Sequence, residues 1–159
     1  MTEQLFREDS YLRECDAVVV AIDDDAIVLD RTVFYPIGGG QAADTGTINW
    51  EGGSTTVIDT RYGDGGAIRH IVKENAARPQ AGDQVRASID WDRRYRHMRM
   101  HTALHLLGSI LKYGVTGGNI SAEKSRLDFD MEDTIDKEEV ATALKKLVEE
   151  NHSISCRWI

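Results

Sequence analysis

Cysteine is scarce in this chain: two among 159 residues, Cys15 and Cys156, near opposite ends. They make no CxxC pair, which excludes a disulfide framework and fits a reducing, cytoplasmic setting. Long apolar runs are missing as well. None approaches the roughly 18 residues needed to span a bilayer, so no membrane partner is expected. The opening "MTEQLFREDSYLRE" is polar and acidic, unlike a secretory signal or an arginine-rich transit peptide. Positive charge is not in excess either. A net charge of −8 argues against general nucleic-acid binding, which needs clustered Lys and Arg.

The residues present read as soluble and globular, with 41% hydrophobic and 29% charged, enough for one ordinary domain or two small ones. The charge is unevenly spread. From Arg86 to Lys112 lie six of the nineteen basic residues, five of them arginines, against only Asp90 and Asp92. Such a segment can steer a polyanion to one place on an acidic protein, or it can be a solvated arginine face.

The first ninety residues predict β-structure. "DAVVVAI" and "AIVLD" flank Asp23, Asp24 and Asp25 as a hairpin, followed by "TVFYPI", "TINW", "TTVIDTRY", "AIRHIV" and "DQVRASIDW". These short Val-, Ile- and Thr-rich runs are divided by Gly and Asp at hairpin-like intervals, the spacing of a small barrel or sandwich. At Asp92 the pattern turns helical, with apolar positions at Leu104, Leu107, Ile110 and Leu111 and Gly114 as the stop. "RLDFDM" alternates like a strand. Asp136 and Glu139 form a capping box for a helix whose stripe is Val140, Leu144, Leu147 and Val148. "SISCRWI" alternates again. The fold class is therefore α+β.

Two clusters can carry chemistry. In "MHTALHLLGSIL", His101 and His105 are one helical turn apart, so their imidazoles leave the same face. Two histidines so placed can share a metal ion, or they can be core residues. His97 lies a turn earlier in the same row and could be a third ligand, but its arginine neighbours would weaken metal affinity, and it is read as a surface or RNA-facing residue. A zinc protease of the HExxH kind is excluded, because Thr102 stands where its glutamate base is required. The second cluster, "FYPIGGGQAADTG", is neither a Walker A loop nor GxGxxG. Its three consecutive glycines permit close backbone approach to another group, or simply a tight barrel corner.

Taken in this order, "FYPIGGGQAADTG", then "RMHTALHLL", then "GGNISAEKSRLDFDM", the chain resembles the editing region of alanyl-tRNA synthetase and the free-standing AlaX-type proteins. The resemblance covers roughly residues 5 to 159. It implies a small glycine-rich β-barrel over residues 1–90, followed over residues 91–159 by an incomplete α/β domain, the N-terminal part of a zinc-dependent editing domain. It further implies hydrolysis in trans of tRNA(Ala) mischarged with serine or glycine, with the acceptor end of tRNA(Ala) as partner. His101 and His105 correspond to two of four Zn2+ ligands. Gln41, Asp44, Thr45 and Thr102 are the substrate-binding candidates, and Arg93, Arg94, Arg96 and Arg99 the tRNA-binding ones. A threonine hydroxyl can bond the serine side chain, which alanine lacks; Thr45 is equally well a hairpin residue.

The sequence departs from the family at its end. The other two ligands come from a CxxxH motif, and Cys156 lies in an alternating run where a small buried residue is expected. His152 is expected as a helix cap. Half the zinc site is thus expected to be missing, and the chain, read as a fragment, to be inactive or feeble. The alternative is a non-catalytic RNA-binding or regulatory module of the same fold.

Overall fold

The computed structural model describes residues 1–23, 25–153 and 155. Ten strands and two helices follow in order: β1 (Glu3–Gln4), β2 (Glu14–Ile22), β3 (Ala26–Leu29), β4 (Arg31–Thr32), β5 (Gly46–Trp50), β6 (Gly53–Tyr62), β7 (Ile68–Val72), β8 (Gln84–Ile89), α1 (Trp91–Leu111), β9 (Gly114–Asn119), β10 (Arg126–Asp130) and α2 (Lys137–Glu150). Six strands close into a barrel in the order β2-β3-β7-β6-β5-β8, all neighbours antiparallel. β1 and β4 form a separate parallel pair, and the rest is a β9–β10 hairpin and the two helices, which pack on each other.

Alternation builds the barrel interior. In β8, Val85, Ala87 and Ile89 point inward and the residues between them do not. β6 shows how a bulge changes the parity: Val57 is buried, the register shifts between Val57 and Asp59, and the next inward residue is Thr60. Ile27, Leu29, Val33, Phe34 and Ile48 complete a fully enclosed apolar centre. Gly46 is required where β5 crosses β8, because a Cβ there would stand 2.1 Å from the Ser88 carbonyl oxygen.

His70 is also in this interior, edge-on to Phe34 at 5.1 Å. Its Nδ1 lies 2.9 Å from the Ile27 carbonyl and its Nε2 2.7 Å from the Thr32 hydroxyl. The carbonyl can only accept, so the ring carries its proton on Nδ1 and is neutral. Burial pushes its pKa down to about 4.

Several expectations are revised. "TVFYPI" yields only the two-residue β4, since the next two amides bond side chains and not a ladder: Phe34 N donates to Thr32 Oγ1 and Tyr35 N to Asp44 Oδ2. Gly114 does not stop α1. Lys112 caps it in the left-handed conformation (φ 54°), and Gly114 opens β9. In α2, Val148 is 59% exposed and Ala143 shares the half-buried side with Val140, Leu144 and Leu147. The capping box forms its Asp136 half, the carboxylate accepting from Glu138 N and Glu139 N. His152 pairs with Glu150 at 2.8 Å, beside a helix end capped by Asn151. The expected strand at "SISCRWI", with Cys156, lies outside the described residues.

Candidate functional site

The site forms where the glycine-rich turn and the start of α1 meet. Asp90 caps the helix by accepting from Arg93 N (3.1 Å), and its own N–H donates to the Thr45 carbonyl at 2.7 Å. One turn along, Arg94 enters the interior. Its Nε lies 3.0 and 2.9 Å from the two Asp44 oxygens, Nη2 reaches Asp44 and the Val33 carbonyl, and Nη1 reaches the Ser10 carbonyl. The Arg94 side chain is 3% exposed and that of Asp44 is not exposed at all.

The pair bears on two assignments. Arg94 and Asp44 are both buried and bonded to each other and to backbone groups, so neither side chain is offered to tRNA or substrate in this structure. Asp44 also accepts from Tyr35 N, so one carboxylate fixes the segment before the glycine turn, the turn itself and the helix. Arg93 is half-buried and spends its Nε on the Ala43 carbonyl. Arg96 and Arg99 are exposed.

The glycine turn lies between the barrel and the hairpin. Ile37 N donates to the Thr60 carbonyl, while Ala42 N and Gly40 O bond Ile120 on either side of Gln41. Gly40 has φ 78°, and a Cβ on it would meet the Gly118 carbonyl oxygen at 3.1 Å. Close backbone approach is therefore what that glycine supplies.

This docking carries Gln41 to the histidines. Gln41 is buried, and its Oε1 lies 2.8 Å from His101 Nδ1. An amide oxygen only accepts, so His101 keeps its proton on Nδ1 and presents the Nε2 lone pair. The His101 and His105 rings lie nearly parallel, 14° apart with centroids at 4.9 Å. Burial first, and then the neighbouring His105, lower the His101 pKa, so the ring stays neutral. A neutral imidazole whose second nitrogen is held by a carbonyl-type oxygen is the form that ligates a metal. The pair thus fits half of a tetrahedral zinc set. Among the described residues no third His, Cys, Asp or Glu joins it. Thr102 is half-buried next to His101, and Thr45, also half-buried, has no protein partner for its hydroxyl among the described residues.

His97 is a further correction. Expected at the surface, it is fully buried, with no hydrogen-bond partner on either ring nitrogen. The side of α1 that carries Arg94, His97 and His101 turns toward the barrel, so the arginine-rich sequence around it misled. Burial first, and then Arg93, lower its pKa.

Comparison with known proteins places this chain in a family. The family model described as "tRNA synthetases class II (A)" matches residues 6–93, more than half of the chain, and places it in the synthetase-related class. The "Alanyl-tRNA editing protein AlaX-M" of Pyrococcus horikoshii is 39% identical over 167 residues, covering 99% of this chain and 75% of that protein. The protein of that name from Methanosarcina acetivorans is 43% identical, covering 98% of this chain and 68% of its own length. The "Alanine--tRNA ligase" of Saccharolobus islandicus is 40% identical over 147 residues, which is 87% of this chain and 16% of the ligase. The chain belongs to the alanyl-tRNA editing proteins.

Proposed function

We propose that the protein corrects mischarged tRNA(Ala) in trans in the cytoplasm. Water adds across the ester of Ser-tRNA(Ala), with Gly-tRNA(Ala) as a second substrate, releasing the amino acid and free tRNA(Ala). The observation that carries this reading is His101, oriented by Gln41 with its Nε2 lone pair free and His105 stacked a turn away.

These two imidazoles would hold Zn2+. When bound, such an ion supplies Lewis acidity toward an ester carbonyl or a water. The chain's own residues do the rest. Gln41 keeps the His101 proton on Nδ1, and the Arg94–Asp44 pair holds Gln41's turn against α1. The hydroxyls of Thr45 and Thr102 are the groups offered to a serine side chain, and a site built around such a bond discriminates against alanine. Arg96 and Arg99 face the tRNA backbone, with Arg93 at the edge. Held by these two residues alone, zinc would bind weakly and deacylation would be slow.

That same incompleteness favours a second reading, a binding module without hydrolysis. The test is deacylation of Ser-tRNA(Ala) and Ala-tRNA(Ala) by the wild type, His101→Ala and His105→Ala, with bound zinc measured in parallel. The proposal expects serine-selective release that either substitution reduces at least tenfold, together with loss of zinc. No release by the wild type at any zinc concentration, with tRNA binding intact, overturns it in favour of the binding module.

A further inference from the structure

On a flank of α1, beside the face that carries Arg94 and His97, aromatic rings and arginines cluster in a way the histidine site does not use. Trp91 and Tyr95, one turn apart, stack at 5.7 Å with 25° between their planes. Tyr11 adds a third ring, 5.7 Å from Trp91. The Arg13 guanidinium lies 4.4 Å from the centre of the Trp91 ring, and that of Arg99 6.0 Å from Tyr95. Trp91 is the inner member, half-buried against the barrel core, while Tyr11 is 60% and Tyr95 42% exposed.

The arrangement is held rigidly. The segment bearing Tyr11 and Arg13 is tied down by Arg94 Nη1 on the Ser10 carbonyl (3.0 Å) and by Ile89 N on the Arg13 carbonyl (2.9 Å). Asp9, the acid nearest Tyr11 in sequence, accepts from Tyr11 N. On α1 itself Asp92 is the only acid, against the exposed Arg96 and Arg99. Trp91 is covered by Tyr95 and Arg13, so the exposed rings are those of Tyr11 and Tyr95, with Arg96 and Arg99 exposed beside them and Glu8, Asp9 and Glu14 in the Tyr11 segment.

We propose that Tyr11, Trp91 and Tyr95, flanked by Arg13, Arg96 and Arg99, form a stacking platform for unpaired nucleotides of RNA. Single-stranded bases stack on exposed aromatic faces while arginines neutralise the phosphates between them. A duplex hides its base faces and does not fit. Tyr95 lies six residues before His101 on the same helix, roughly 9 Å along the axis at 1.5 Å per residue and about a third of a turn away around it. A single-stranded tail resting on the platform must pass around the helix to reach the histidines. The identity of that tail as the tRNA acceptor end rests on the function proposed above; the platform itself does not.

The experiment uses the intact chain. A labelled single-stranded RNA tetramer ending in CCA and a blunt RNA duplex of equal charge are titrated by fluorescence anisotropy against wild type, Tyr11→Ala, Tyr95→Ala, Tyr95→Trp and Arg99→Gln. The platform expects the single strand to bind more tightly than the duplex. Each alanine variant weakens the single strand about tenfold, within the 1–3 kcal/mol of one stacked base, and Tyr95→Trp restores it. Arg99→Gln reduces the salt dependence of binding by about one phosphate contact. Circular dichroism confirms that each variant is folded. On Ser-tRNA(Ala), Tyr95→Ala acts through KM.

The outcomes separate the two ideas. Preferential single-strand binding that Tyr95→Ala abolishes, without deacylation, leaves the platform standing and removes the editing reading. Deacylation by the wild type with oligonucleotide affinity and KM untouched in both tyrosine variants removes the platform and leaves editing standing. Equal binding of duplex and single strand also overturns the platform.

Discussion

The barrel and the part that follows it are built on opposite principles. The barrel encloses Ile27, Leu29, Val33, Phe34, Ile48 and Val57 without measurable exposure, and strand pairing closes around them. Beyond Ile89, Ile120 is the only buried apolar residue among those described. The leucines of α1 and the apolar side of α2 are half-buried at best. What joins the second part to the first is polar: Arg94 on Asp44, Gln41 on His101, and the backbone bonds around Ile120. The barrel is held by burial of apolar surface, which is tolerant of small displacements. The junction is held by directional bonds, which are not. The functional site lies on the directional side, where geometry is best controlled.

The largest effect that tests this contrast comes from breaking the buried ion pair. Asp44→Ala leaves Arg94 charged and unpartnered in the interior, a loss of about 3–5 kcal/mol. In hydrogen exchange, the amides of α1 and α2 are expected to lose protection well before those of β6 and β8. Simultaneous loss everywhere would mean that the two parts are one cooperative unit and the contrast is false.

Next come matched truncations. Ile48→Ala removes a fully enclosed barrel side chain at a cost of about 2–5 kcal/mol, whereas Leu107→Ala, half-buried in α1, is expected to cost about 1 kcal/mol. Urea denaturation of both variants measures the difference, and equal losses would show that α1 packs as tightly as the barrel.

The most gradual effect is the acid response of the barrel's own polar residue, spread over more than two pH units. His70 titrates at about 4 in the folded protein against 6.5 ordinarily. Above pH 6.5 it is neutral in both states and stability is intact. Between 6.5 and about 4 the unfolded chain takes up a proton that the folded one refuses, so stability falls by about 1.4 kcal/mol per pH unit. His97, also held low by burial, acts in the same direction. Urea midpoints at pH 7, 6, 5 and 4.5 check this, and His70→Gln is expected to flatten the slope. An unchanged slope in that variant would assign the acid sensitivity to other groups.

Particular residues show how far the chain could be read unaided. The barrel was legible because alternation and glycine-bearing turns, such as Glu51–Gly52 between β5 and β6, are local signals. The histidine pair was legible because helical spacing is local as well. β9 was not, since "GVTGGN" has three glycines in six residues and forms a strand only because β10 lies beside it. Trp91, read only as the end of a strand, begins α1 and anchors the ring cluster; no spacing links it to Tyr11, eighty positions away.

The sequence alone determined which barrel segments alternate and where the two helices wind, because those choices depend on neighbours a few residues away. It determined as well that two imidazoles share one helical face. The tertiary structure alone decided that Arg94 and Asp44 face each other in the interior, that His97 is buried, and that Gln41 rather than solvent meets His101 Nδ1. Those contacts join residues about fifty to sixty positions apart. An arginine or histidine has the same local pattern whether it faces water or a carboxylate, and only chain closure brings the partner that decides.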